Sequence, residues 1–343
     1  MPFRQDELRS GIHSKEMPFM VKAIRAHKTG GPEVLQFEDV ALPQPGPGEI
    51  LMRNRAIGLN FIDTYFRSGL YPAPQLPFTL GNESAGDVLA VGPNVTEFKA
   101  GDRVVVVSAL GAYAEERIVP AASVVALPDG VSYEAAASMM LKGLTAEYLL
   151  HRTYKVKPGD TILVHAAAGA TGLILCQWGK ALGATVIGTV GSKEKADLAK
   201  AHGADHVINY REEDFAARVK EITGGKLCDV VYDGVGKDTF MKSLDTLKPF
   251  GLMASFGNAS GAVEAFNLGI LSAKGSLYVT RPTLNTHTAR RETMVAMAKN
   301  LFEAVTSGKV KVPVNATFPL KDAAEAHRLL ESRGTTGSTV LIP

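Results

Sequence analysis

Cysteine is scarce in this 343-residue chain, which has only Cys176 and Cys228. Two thiols make no disulfide framework, and neither has the spacing of a metal ligand. One falls in a helical pattern and the other at the start of a strand, so both read as packing residues of a reducing compartment, with the cytosol expected. An excess of one charge is also missing. Lys and Arg number 37 against 35 Asp and Glu, a net charge of +2. No basic cluster with interleaved aromatics is present, which speaks against a nucleic-acid partner. No apolar run approaches the ~18 residues of a membrane helix. Residues 1–19 lack the apolar stretch of a signal peptide and read as a flexible extension with no function assigned.

Hydrophobic content is 45% and charged content 21%, ordinary for a globular chain long enough for two domains. From Met20 to about Ala126, short β runs such as 49–53, 85–92 and 102–107 are cut by Gly and Pro turns, as in a compact, barrel-like β domain. Two helices, over residues 133–140 and 144–154, lead to the most informative stretch. That stretch is Thr161 to Gly172, Thr-Ile-Leu-Val-His-Ala-Ala-Ala-Gly-Ala-Thr-Gly. Ile162, Leu163 and Val164 suit a parallel strand buried on both faces, and a helical pattern follows the small-residue turn. Strand, glycine turn and helix are the context of a dinucleotide fingerprint. Gly169 lets the backbone approach a pyrophosphate, Gly172 lets the helix pack on the strand, and the helix N-terminus offers N–H groups to the phosphates. Ala167 stands where the first glycine of the pattern is usual.

Strands and helices then alternate. Strands are expected at 185–190, 206–210, 229–233, 251–256 and 276–279, and helices at 193–201, 214–222 and 237–247. With the fingerprint strand this is an α/β, six-stranded, doubly wound parallel sheet with its ligand at the carboxyl ends of the strands. A helix over 289–306 leaves the sheet, and the tail, helical over 320–332 with a strand at 339–342, returns to the first domain. After the second strand, where an NAD site carries an acid, the chain reads Gly191-Ser192-Lys193-Glu194-Lys195. Ser192, Lys193 and Lys195 suit a 2′-phosphate, so NADPH is expected over NADH, although the same lysines also read as a solvated first helical turn.

The chain resembles the medium-chain dehydrogenase/reductase superfamily, and within it the zinc-free, zeta-crystallin-like bacterial NADPH:quinone oxidoreductases. The matching pieces include Gly30-Gly31-Pro32-Glu33-Val34-Leu35, Asn60-Phe61-Ile62-Asp63-Thr64-Tyr65, Arg67-Ser68-Gly69-Leu70-Tyr71-Pro72, Lys142-Gly143-Leu144-Thr145, Asn209-Tyr210-Arg211-Glu212, Ser255-Phe256-Gly257-Asn258 and Leu277-Tyr278-Val279-Thr280-Arg281-Pro282. The resemblance implies a GroES-like catalytic domain over residues 20–143, completed by 307–343, and a Rossmann domain over 144–306. It implies a homodimer paired through the last Rossmann strand, whose exposed edge would otherwise be a liability.

For the cofactor site the resemblance implies Asn60, Thr64 and Tyr65 near the nicotinamide with Tyr148 beside it, Phe61 among the cofactor-binding residues, and Ala170 and Thr171 at the pyrophosphate beside Gly169 and Gly172 of the fingerprint. It implies Gly191, Ser192, Lys195 and Tyr210 at the adenosine phosphate, with Phe256, Gly257, Asn258, Val279, Thr280, Arg281 and Arg333 also lining the site. Asn82 and Gly234 depart from the Thr and Ser of many relatives. The zinc-dependent relatives hold metal with Cys and His. Here no cysteine precedes Cys176 and only Asp63 and Glu83 remain, a poor zinc site. A metal-free cleft leaves the hydride chemistry to the cofactor and asks the protein for hydrogen-bond donors to a developing oxyanion. Asn60 and Tyr65 are the expected donors, with Tyr71 at the mouth. Asn60 reads equally as a turn residue, and Tyr65 also as a packed aromatic. Reduction of small quinones is expected, with reduction of enals or enones and a non-catalytic NADPH-binding sensor as alternatives.

Overall fold

The computed structural model describes residues 19–73, 75–107, 110–332 and 336–343. The extension expected over 1–19 therefore lies outside the described residues except for Phe19, which opens the first strand, Phe19–Ala26.

The β-rich part is built on a seven-stranded sheet ordered 314–319, 338–342, 49–59, 83–91, 103–107 and 124–126, with Glu116–Pro120 pairing beside Glu49–Leu59. Ile50, Met52, Asn54 and Ala56 alternate inward along Glu49–Leu59, the period-two pattern of a strand with one buried face. The tail strand Ser338–Ile342 lies antiparallel to this strand, so the C-terminus returns to the first domain as expected. A smaller three-stranded sheet joins Leu35–Leu42, Phe19–Ala26 and Phe78–Thr79.

The second half is the expected parallel sheet, ordered 206–209, 185–190, 161–164, 228–233, 247–255 and 278–280. Chain order reverses beside the fingerprint strand Thr161–Val164, which opens a crevice at the carboxyl ends. The alanine that replaces the first fingerprint glycine is accommodated by its neighbour. Ala167 Cβ lies only 2.7 Å from where a Cβ on Gly188 would stand, so Gly188 leaves the room that Ala167 fills.

Several expected elements differ. The two helices before the fingerprint are one, Tyr133–Tyr148, extended by a π turn over Leu149–Thr153. It runs straight through Gly143, and so across the expected domain boundary. A methyl at Gly143 would meet Leu301 Cδ1 at 2.5 Å, so close packing against the helix Arg291–Thr306 offsets the ~1 kcal/mol helix penalty of glycine. The helix expected over 237–247 shrinks to Phe240–Ser243 and a 3-10 turn, Leu244–Thr246. The buried Asp233 carboxylate accepts the Val235 and Gly236 N–H groups and the Thr239 hydroxyl, holding the preceding residues in a loop instead. The helix expected over 289–306 starts at Arg291, behind a separate turn Leu284–Thr288. The last strand is Tyr278–Thr280, because Ser276 at φ 54 cannot extend.

Candidate active-site cleft

A cavity of about 1030 Å³ lies between the two sheets. One wall is the fingerprint. Ala166, held at φ 51, turns the chain and accepts the Gly169 N–H at 2.9 Å. Gly169 then starts the helix Ala170–Ala181 with no side-chain cap, whereas Ser132, Ser192 and Asp214 cap neighbouring helices through their side-chain oxygens. The first-turn N–H groups at Ala170, Thr171 and Gly172 thus face the cavity without a side chain competing for them, together with the positive end of the helix dipole. A Cβ on Gly172 would stand 2.3 Å from Ala166 O and 2.8 Å from Ala167 Cα, so only glycine allows this approach.

The wall continues to Gly191, Lys195 and Tyr210. A Cβ on Gly191 would meet Tyr210 Oη at 2.6 Å, and Arg211 Nε stands 3.5 Å from the same point, a cation that the sequence reading did not single out. Ser192 does not line the cavity; its Oγ accepts the Lys195 N–H at 3.3 Å and caps the helix Lys193–Ala201. Asn258, Val279 and Thr280 are likewise not brought to the lining, while Phe256, Gly257 and Arg281 are. The strand Tyr278–Thr280 keeps Val279 and Thr280 in the sheet, and Arg281, just past its end, binds Ser255 O at 2.9 Å. Gly234 leaves room for Phe256, whose ring carbon would lie 3.0 Å from a Cβ there. Arg333 lies outside the described residues.

At the opposite end stand Phe61, Thr64, Tyr65, Tyr71 and Tyr148. Tyr65 Oη accepts the backbone N–H of Asn258 at 3.1 Å, tying the helix Phe61–Ser68 to the parallel sheet across the cleft. Burial holds the Tyr65 hydroxyl above its ordinary pKa, so it keeps a proton to donate. Tyr71 meets it edge-on with centroids 5.2 Å apart. Tyr148 is buried and stacks on His287 at 4.5 Å, and burial raises the tyrosine while lowering the histidine.

Beneath this end lies a buried polar network. Asn60 Nδ2 donates to Glu83 Oε2 at 2.9 Å and to Gly58 O at 3.2 Å, and its backbone N–H donates to Asp63 at 2.9 Å. Both amide hydrogens are committed, so Asn60 holds the loop and offers no donor to the cleft, a correction to its expected role. Asp63 also accepts from Asn82 Nδ2 at 2.8 Å and Tyr113 Oη at 3.0 Å. Tyr113 contacts His327 Nε2 at 3.1 Å, and His327 Nδ1 contacts Arg67, which grips Glu331 with two nitrogens. Burial raises Asp63 to about 6 and, with the Arg67 charge, lowers His327 to about 3. The Glu83 carboxylate, fully buried, also accepts the Leu141 N–H at 2.7 Å and Lys142 Nζ at 3.1 Å. Lys142, which opens the matching piece Lys142-Gly143-Leu144-Thr145, also lines the cavity; by local pattern it is a lone charge inside the apolar run 135–146.

The family model for an alcohol dehydrogenase GroES-like domain matches residues 46–129, and that for a zinc-binding dehydrogenase matches 170–301. A quinone oxidoreductase of Pseudomonas aeruginosa is 57% identical over 325 residues, covering 94% of this chain and all of that protein. The crystal structure of Escherichia coli quinone oxidoreductase complexed with NADPH is 55% identical, with a TM-score of 0.92 over 94% of this chain and all of that one. A 2-haloacrylate reductase from Burkholderia is 48% identical over 94% of this chain and 99% of its own length.

Proposed function

The chain belongs to the quinone oxidoreductase family of the medium-chain dehydrogenase/reductase superfamily, and from that premise we propose that it is an NADPH-dependent reductase of small quinones. The observation that carries this reading is a single cavity that joins an uncapped helix N-terminus, Lys195 and Tyr210 at one end to Tyr65, Tyr71 and Tyr148 at the other. The first end fits a pyrophosphate and a further phosphate; the second fits a flat, conjugated acceptor.

When bound, NADPH supplies the hydride. The protein binds and orients. Backbone N–H groups at Ala170 to Gly172 hold the pyrophosphate, and Lys195, Tyr210 and Arg211 hold the 2′-phosphate. Tyr65 presents its O–H to the acceptor oxygen. Zinc does not fit the residues present. Glu83 and Asp63 are each filled by three donors, Lys142, Asn60 and Leu141 on one and Asn60, Asn82 and Tyr113 on the other, and neither has imidazole or thiolate beside it.

A second reading, reduction of activated alkenes, draws on the 2-haloacrylate reductase relative and on the same cleft. NADPH consumption with a small quinone and with a simple enone, repeated with NADH, separates the two. Quinone turnover with NADPH well above NADH supports the main reading, and turnover of the enone alone replaces it. Tight NADPH binding without any turnover leaves a sensor. A homodimer paired through the strand Tyr278–Thr280 accounts for Tyr278, 60% exposed, and Phe250, 68% exposed, near that sheet edge. Sedimentation of wild type beside Tyr278→Glu tests it, with dissociation of the variant expected.

Among the described residues no helix is long and apolar enough to cross a membrane.

A further inference from the structure

We propose that Lys142 is a catalytic residue: its ammonium, held by Glu83, donates a hydrogen bond to the substrate oxygen on which negative charge collects during reduction. This rests on the quinone-reductase reading above.

Lys142 is 5% exposed and lies on the helix Tyr133–Tyr148 in the lining of the cavity, to which Asn60, Thr64, Asn82, Thr145 and Tyr148 also contribute. An ammonium has three N–H donors. One reaches Glu83 Oε2 at 3.1 Å, and no other hydrogen bond from Nζ is present among the described residues. Glu83 aims the amine and is itself fixed from two other sides, by Asn60 Nδ2 at 2.9 Å and the Leu141 N–H at 2.7 Å. The same carboxylate that removes Asn60 as a donor thus supplies Lys142 in its place. As a device for stability alone the pair is a poor choice, since a buried ion pair seldom exceeds an apolar pair of the same volume. A cation at the wall of a reductive cleft, by contrast, meets the one charge the reaction creates.

The balance is simple. The C–H bond of the reduced nicotinamide gives up a hydride, which carries two electrons and one proton and forms an O–H bond at one quinone oxygen, and the electron pair displaced from the substrate π system comes to rest on the other carbonyl oxygen. Lys142 hydrogen-bonds that oxyanion and stays protonated throughout. Water supplies the second proton, giving the hydroquinone.

The test uses Lys142→Met, Lys142→Arg and the double variant Glu83→Gln/Lys142→Met, the last leaving no buried carboxylate unpaired if the single variant fails to fold. Two readouts are taken. The first, independent of turnover, is the ionisation of 4-nitrophenol bound in the cleft, followed by the colour of its phenolate. The second is kcat for a small quinone beside the Kd for NADPH. In wild type the bound phenol ionises about one pH unit below its solution value; the double variant loses that shift and Lys142→Arg keeps most of it. The double variant lowers kcat about 100-fold while the Kd for NADPH stays within about twofold. Equal phenol ionisation in wild type and double variant, or an undiminished kcat in a folded variant, overturns the proposal. A wild type that turns over no quinone overturns the functional reading instead, and the phenol shift then decides Lys142 alone.

Discussion

The two ends of the cleft are made of different material. The fingerprint end is backbone: a turn at Ala166, three small residues and a helix start that no side chain caps. The far end is side chain: Asn60, Asp63, Glu83, Tyr113, Lys142 and His327 come from five separated stretches and meet only in the fold. A backbone site is fixed by where glycine is allowed. A side-chain site is fixed by which donor each carboxylate receives. The first tolerates no added atoms, whereas the second tolerates no unpaired group.

The largest way to break the second region is Arg67→Met. Arg67 is 2% exposed and binds His327, Gly30 O and Glu331, so its loss strands several buried partners. A loss of about 3–5 kcal/mol in unfolding free energy is expected by urea titration; a loss below about 1 kcal/mol would show the network to be ornamental. In the first region Gly172→Val sets a side chain against Ala166 O, where even a Cβ has only 2.3 Å. NADPH affinity measured by fluorescence should fall more than about 100-fold, the equivalent of ~2.8 kcal/mol, and an unchanged affinity would place the phosphates elsewhere.

A third comparison lies inside the network. The folded pKa of Asp63 is raised from 3.8 to about 6, so its contribution is present at low pH and is lost as pH rises through that range. The folded pKa of His327 is lowered from 6.5 to about 3, so its contribution is present above 6.5 and is lost as pH falls. Between about pH 4 and 6 the two slopes oppose each other, each near 1.4 kcal/mol per pH unit. Asp63→Asn should therefore make stability rise with pH across this window, and His327→Gln should make it fall. Urea midpoints at its two ends check the signs; variants that tilt the same way contradict the linkage.

The same division decides what was legible in the sequence. Strand, turn and uncapped helix are contiguous, so residues 161–172 already point to the strand–turn–helix that is proposed to hold the phosphates, and the alternation around it points to the sheet. Even the substituted Ala167 is explained by Gly188, one strand away. Local pattern misleads where a distant partner overrules it: Gly143 reads as a break until Leu301 is seen against it, and residues 237–239 read as helix until Asp233 is seen holding their loop. Asn60 was legible as a polar residue at a helix start. Its amide hydrogens point to Glu83 and Gly58, which nothing in residues 60–65 reveals. Lys142 is legible only as part of the matching piece Lys142-Gly143-Leu144-Thr145, because a lysine in a helix is ordinary until its burial is known.

The most direct measurement of the account is a pair of kinetic constants on two variants, one from each end. Lys195→Ala should raise the KM for NADPH about tenfold and leave kcat with a small quinone nearly unchanged, the loss of ~1.4 kcal/mol of binding. Tyr65→Phe should lower kcat about tenfold or more and leave that KM nearly unchanged. Constants that separate in this way support a cleft divided between a phosphate end that binds and a tyrosine end that reacts. Constants that move together in both variants would contradict that division.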